Sequence, residues 1–296
     1  MEINLPKQGK YVLAVSGGVD SMCLLHLLSQ KRDMYELVVA HFDHGIRPDS
    51  HLDAELVRQT AKQYGLSYLE GNGFLGDQTS EAKARRARYD FLFAKKDEVK
   101  ADAIVTAHHQ DDRLETLVIN LARGTGRKGL SSLTETTDIK RPFLNVTKAE
   151  LSDYAHQHKL SWREDSTNAD SRYLRNYIRQ QLATKLTNED KSRLIELMDR
   201  QEKINQQIDR GIDRLYAMSG QAGLRRKFLA DLTYNESREL VAYWLRHNNL
   251  VNFDHKTIER ITVAAKTKKP GARVDVYGKR QVIIGKEFLA LDAIER

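Results

Sequence analysis

The sequence predicts an α/β fold, a parallel sheet with helices on both faces, plus a smaller and mostly helical C-terminal domain ending in a short β-meander. Three observations carry this reading. Strand-length apolar runs alternate with stretches of helical spacing through the first half. The pattern changes after about residue 185, which divides the chain into residues 1–185 and 186–296. The length of 296 residues and a hydrophobic content of 40% suit one α/β body with an appendage.

The elements follow in order. Tyr11-Val12-Leu13-Ala14-Val15 is a strand, followed by a Gly turn and an apolar helix from Ser21 to Ser29. Leu37 to Phe42 is the second strand, Asp53 to Tyr64 a helix, and Ser67 to Glu70 a weaker third strand. Glu81 to Lys96 is a basic helix, Ala103 to Ala107 the fourth strand and Asp112 to Ala122 another helix. Strands and helices alternating at this spacing imply βαβ units, hence a parallel sheet. Beyond residue 185, Leu194, Leu197, Ile204, Ile208, Ile212 and Leu215 mark a long helix over Lys191 to Leu215. Helices at Asn235 to His247 and His255 to Lys266 precede three short strands, 273–277, 281–284 and 288–291, with Gly278 and Gly285 at the turns.

Composition narrows the function classes. One cysteine, Cys23, excludes an intrachain disulfide framework, a Cys-rich zinc module and chemistry that needs a Cys pair. No apolar run approaches the ~20 residues of a membrane span. Met1 to Lys10 lacks the apolar stretch of a signal peptide, so a cytoplasmic location is expected. The net charge of +7 suits a polyanionic partner. Residues 186–296 hold 21 basic and 16 acidic side chains, so most of the surplus lies there.

Three motifs fall at the carboxyl ends of strands, where open α/β sheets bind ligands. Ser16-Gly17-Gly18-Val19-Asp20-Ser21 follows the first strand. Its glycines allow a sharp turn and close backbone approach, and the following helix adds its positive dipole end. That combination suits a phosphate or pyrophosphate, although it is neither a P-loop nor a dinucleotide fingerprint. An unliganded Gly-rich turn is the plain alternative. His41-Phe42-Asp43-His44-Gly45-Ile46-Arg47 follows the second strand and reads equally as a nucleotide-contacting loop, a metal site of His41, Asp43 and His44, or a polar strand end. Ala107 to Thr116 follows the fourth strand and carries His108, His109, Asp111, Asp112 and Glu115. Helix capping by an Asp with Glu115 explains the acids but not the histidines. Such a cluster offers carboxylates both for Mg²⁺ on a triphosphate and for cradling an amine.

Ser-Gly-Gly-x-Asp-Ser after the first strand resembles the signature of the PP-loop ATP pyrophosphatases (adenine nucleotide alpha hydrolase-like fold). With Arg85-Arg86-Ala87-Arg88-Tyr89, Arg123-Gly124, Arg141-Pro142, Asp165-Ser166-Thr167-Asn168 and Arg175-Asn176-Tyr177-Ile178-Arg179, in this order, the chain resembles the tRNA(Ile)-lysidine synthetase family of that superfamily. The resemblance covers roughly Val12 to Arg179. It implies ATP-dependent ligation of free L-lysine to the wobble cytidine of isoleucine tRNA with a CAU anticodon, through an adenylated cytidine. It further implies an ATP site of Ser16 to Ser21 with His41 and His44, and Mg²⁺ on Asp20 and Asp112. Asp111, Asp112 and Glu115 are then the catalytic carboxylates, and Arg47, Arg85, Arg88, Arg123, Arg175 and Arg179 contact tRNA or phosphate. The 186–296 segment contacts the tRNA, no membrane is involved, and a homodimer is compatible with the reading. Two departures stand out. Position 113 is Arg where the family usually has Gln, and the chain resembles the shorter members. Competing readings are another PP-loop enzyme, a metal-dependent phosphohydrolase using His41, His44, His108, His109, Asp111 and Asp112, and a non-catalytic RNA-binding module. Among PP-loop enzymes, a thiolase is disfavoured by the lone Cys23.

Overall fold

A computed structural model describes residues 3, 6–45, 49–73, 76, 79–164, 174–219, 223–250, 253–278 and 280–293. They fall into two compact units, Met1–Gln201 and Glu202–Arg296.

The first unit alternates strands and helices: β1 (Gly9–Ala14), α1 (Val19–Ser29), β2 (Tyr35–Asp43), α2 (His51–Gln63), β3 (Ser67–Asn72), α3 (Glu81–Glu98), β4 (Ala103–Val105) and α4 (Gln110–Ala122). The short α5 (Arg127–Leu130) and β5 (Ile139–Lys140) follow, then α6 (Lys148–Gln157), α7 (Leu174–Lys185) and the start of α8 (Asn188–Ser219). The five strands are parallel, in the order β3-β2-β1-β4-β5. Alternation along β1 sends its residues to opposite faces. Leu13 joins Leu24 of α1, Val57 of α2 and Leu151 of α6, whereas Val12 joins Leu92 of α3. Each of these apolar side chains is almost fully buried and stabilises the unit by about 1.5–3 kcal/mol.

This strand order positions the site. The chain runs outward from β1 through β2 to β3, then returns to the other side of β1 as β4 and β5. The connections leaving β1 and β4 therefore diverge from neighbouring strand ends and open a crevice between them.

The first unit reaches Gln201 rather than residue 185. Ile195 and Met198 of α8 pack with Leu114 and Leu117 of α4, so the first half of the long helix belongs to the α/β body. Helix α6, which periodicity did not single out, starts at a capping box. Thr147 Oγ1 accepts from the Glu150 amide, and the Glu150 carboxylate accepts from the Thr147 amide.

The second unit holds the rest of α8, β6 (Leu224–Arg225), α9 (Arg226–Asp231), α10 (Tyr234–His247), α11 (His255–Thr267), β7 (Arg273–Asp275), β8 (Arg280–Ile284) and β9 (Phe288–Ala293). The expected meander is extended by a fourth strand, giving the antiparallel order β6-β9-β8-β7. Its core gathers Leu240 and Trp244 of α10, Ile261 of α11, and Val282 and Ile284 of β8. Lys266 is tied to the Leu232 carbonyl, whereas Lys268, Lys269 and Arg273 are exposed.

No described helix is long and apolar enough to cross a membrane.

Candidate active site

A cavity of about 1380 Å³ opens at the carboxyl edge of the first unit's sheet. One wall is the turn between β1 and α1. Gly17 takes φ +94°, a conformation that favours glycine. The Ser21 hydroxyl accepts from the Ser16 amide at 3.1 Å and donates to the Gly18 carbonyl at 2.9 Å, which holds the turn closed on itself. Gly18 caps α1 in an extended conformation without a capping side chain. The first-turn amides from Val19 onward thus begin at the cavity, where a helix dipole favours an anion. His41, at the end of β2, donates from Nδ1 to the Val15 carbonyl at 2.8 Å and braces the strand end before this turn.

The second wall is the β4–α4 connection. His109 is the N-cap of α4, and its amide donates to Asp112 Oδ2 at 3.0 Å. The capping residues are therefore His109 and Asp112, not an Asp with Glu115. His109 is 4% exposed, with Nε2 3.6 Å from Asp112 Oδ2 and 3.7 Å from Asp20 Oδ2. Burial alone would raise the Asp112 pKa, but the neighbouring histidines, the His109 amide and Arg179 outweigh it and hold it below the ordinary value. His108 shares a 2.8 Å hydrogen bond with Thr106, and burial pushes its pKa down to about 3. It is therefore neutral at physiological pH. Asp111 accepts from the Lys148 amide at the start of α6 at 2.9 Å.

Charges from three more helices close the cavity. Arg179 of α7 donates to Glu115 from Nε at 2.5 Å and from Nη2 at 3.2 Å. Glu115 is 1% exposed, and burial raises its pKa against the pull of Arg179. Lys148 of α6 places Nζ 2.7 and 2.8 Å from the two Asp20 oxygens. Arg88 of α3 faces the cavity, where burial, aided by Arg85 and Arg175, disfavours its cation. A half-buried guanidinium in such company favours an incoming anion.

The cavity brings together Ser16, Gly18, Val19, Asp20, Ser21, His41, His44, Arg88, Asp111, Asp112, Glu115 and Arg179 among the expected residues. Gly17 supports it from beneath through its carbonyl. Arg85 stacks on Tyr89 with its guanidinium carbon 4.8 Å from the ring centre, and Arg175 lies 3.4 Å from Glu81, so both stand behind the lining. Arg123 does not join the cavity. It is exposed just beyond the far end of α4, about 16 Å along the helix from Asp112 at 1.5 Å per residue. Arg47 and the Asp165 to Asn168 motif lie outside the described residues. Arg113 turns from the cavity to donate to Asn145 at 3.3 Å and Asp199 at 2.5 Å, so it locks α4 to α8.

Lys148, Arg163, Asp53 and Lys191 also line the cavity, and the sequence reading missed all four. The Thr147-x-x-Glu150 capping box is the signal that locates Lys148 at a helix start.

No cluster of three or more His, Cys, Asp or Glu side chains suited to a metal exists among the described residues, which removes the His41–Asp43–His44 reading. Mg²⁺ has different needs, one or two carboxylates plus phosphate oxygens. Asp20 and Asp112 fit them, since they flank the same His109 nitrogen within the cavity. Cys23 is buried in the core, donates to the Leu151 carbonyl and has its pKa pushed up by burial to about 12.

Residues 2–186 match the family model of the PP-loop domain. The tRNA(Ile)-lysidine synthase of Solibacter usitatus is 32% identical over 283 residues, 91% of this chain and 64% of that protein. The synthase of the same name from Synechococcus sp. is 40% identical over 190 residues, 62% of this chain and 58% of that protein. The chain thus spans under two thirds of the length of these curated relatives. Among solved structures, the U34-tRNA thiolase NcsA from Methanococcus maripaludis, described with its [4Fe-4S] cluster, shares the fold. The TM-score is 0.52 and the identity 17%, covering 66% of this chain and 73% of that one.

Proposed function

The chain belongs to the PP-loop domain family, and from that premise we propose that it ligates lysine to the wobble cytidine of an isoleucine tRNA with a CAU anticodon. The observation that carries the proposal is the convergence of a phosphate-type turn and a carboxylate–histidine helix start in one cavity. At about 1380 Å³ it exceeds the ~300–1,000 Å³ typical of a single small-ligand pocket, leaving room for a nucleotide beside a flipped base. The names of the curated relatives support the substrate.

The reaction takes two steps. The cytosine 2-oxygen attacks the α-phosphorus of ATP, and pyrophosphate leaves. The lysine ε-nitrogen then attacks C2, AMP leaves with that oxygen, and the nitrogen gives up its proton.

In the first step the Ser16–Ser21 turn holds the β- and γ-phosphates through its amides and hydroxyls, and Arg88 offsets charge on the transferring phosphoryl group. Lys148 exchanges Asp20 for a phosphate oxygen. Asp20 and Asp112 would hold Mg²⁺, which would neutralise phosphate charge when bound. In the second step Asp112, kept ionised by its surroundings, orients the amine, and the proton passes to water. Arg179 fixes Glu115 beside it. Asp111 contributes by docking the start of α6. Neutral His108 adds a polar contact without adding charge.

Thiolation finds no support, because the single cysteine is buried and its thiolate is inaccessible near neutral pH. The deciding assay incubates the protein with ATP, labelled lysine and transcripts with CAU or GAU anticodons. Label in the CAU transcript alone is expected. No label in either would defeat the proposal.

A further inference from the structure

Arg163 lies beyond the end of α6, yet it reaches back to the Ser16–Ser21 turn. Its amide donates to the Gly17 carbonyl at 3.0 Å. Its side chain donates from Nε to Asp53 Oδ1 at 2.6 Å and from Nη2 to Asp49 Oδ2 at 2.7 Å. Asp53, in the first turn of α2, is 7% exposed, and a Cβ built on Gly17 would lie 3.3 Å from the Asp53 Cβ. The turn therefore rests on an aspartate that Arg163 holds in place. Trp162, the preceding residue, packs on the main core and meets His156 edge-on at 5.1 Å, which anchors the segment carrying Arg163.

We infer that Arg163 is a positioning residue for nucleotide binding, tying Gly17, Asp49 and Asp53 into a latch that preorganises the turn for a triphosphate. The inference rests on the nucleotide reading of this cavity. Its physical content is the steep cost of misplaced donors. The turn's amides must meet phosphate oxygens within hydrogen-bond distance, and a shift of about 1 Å is enough to cost one to two orders of magnitude. Asp53, with a side chain 10% exposed, is the stronger partner, because the half-exposed Asp49 is screened by solvent. The planar fork of arginine spans both carboxylates from one side chain, which a lysine ammonium cannot reproduce.

Titration calorimetry with Mg²⁺–ATP, and separately with inorganic pyrophosphate, tests the latch. Arg163→Ala should weaken both by roughly tenfold. Arg163→Lys should recover less than half of that loss on a logarithmic scale, because charge without the fork does not restore position. The double variant Arg163→Ala with Asp53→Ala should bind no more weakly than the weaker single variant, since both remove the same support. In turnover, the KM for ATP and not that for lysine should carry the change. A folded Arg163→Ala protein with wild-type affinity would overturn the latch. So would full recovery by Arg163→Lys, which would mark a charge effect, or additive losses in the double variant. If Arg163→Ala fails to fold, the lysine and Asp53→Ala variants decide by the same criteria. Wild-type protein that binds neither probe would instead overturn the nucleotide reading itself.

Discussion

Replacing Arg179 by Met exposes the energetics of the carboxylate cluster. Glu115 is 1% exposed and receives two hydrogen bonds from Arg179. Breaking a buried pair by removing one partner costs about 3–5 kcal/mol. The Arg179 side chain is 41% exposed, so solvent screening brings the expectation down to about 2–3 kcal/mol. For a protein of this size that corresponds to a Tm lower by roughly 4–12 °C. Burial already raises the Glu115 pKa while Arg179 pulls it down, so the variant raises it further. The folded state then holds a proton that the unfolded chain releases. Stability is retained at low pH and declines as pH rises from the ordinary glutamate value through the raised folded value. The Tm deficit against wild type should therefore widen from pH 5 to pH 8. Calorimetry at four pH values measures it, and adding Glu115→Gln should remove the pH dependence. A deficit independent of pH, or none at all, would refute the reasoning.

Three further outcomes are expected. Asp112→Asn should lower the adenylation rate by about 10²–10⁴ and lower Tm modestly near neutral pH, because the amide oxygen can still accept from His109 but the charge that its surroundings favour is lost; near-normal pyrophosphate release would return Asp112 to a purely capping role. Gly17→Val should abolish ATP binding, as it places a branched side chain at φ +94° and against Asp53, with about 1–3 kcal/mol of backbone strain; unaltered affinity in a folded variant would contradict the assigned turn. Lys268→Glu with Lys269→Glu should weaken tRNA binding and flatten its salt dependence by about one unit of slope for each phosphate no longer neutralised, and filter binding from about 50 to 300 mM salt would expose an unchanged slope.

The fold was legible because strand hydrophobicity and helical spacing are local signals. Val12 and Leu13 announce a strand buried on both faces, and the structure sends them to different helical layers. The Ser16–Ser21 turn was legible for the same reason, since its glycines and its place after a strand are both local. What escaped was partnership across the chain. Nothing near Lys148 names Asp20 as its partner, and nothing near Arg163 names Gly17. Two-residue strands such as β5 and β6 carry too little periodicity to register, and exist only because a neighbouring strand supplies the ladder. The basic helix α3 divided in a way composition does not specify. Arg88 faces the cavity, whereas Arg86 points to solvent beside Asp90.

The condition of Cys23 makes the chain a ready host for spectroscopic probes. The thiol is fully enclosed, and its pKa of about 12 leaves roughly a thousandfold less thiolate than an ordinary surface cysteine carries. A maleimide dye should therefore ignore it while labelling a cysteine introduced at Glu36 in the first unit or at Tyr277 in the second, both well exposed. With no native thiol to remove, a donor and acceptor pair at those positions would follow the separation of the two units as ATP or tRNA is added, one molecule at a time.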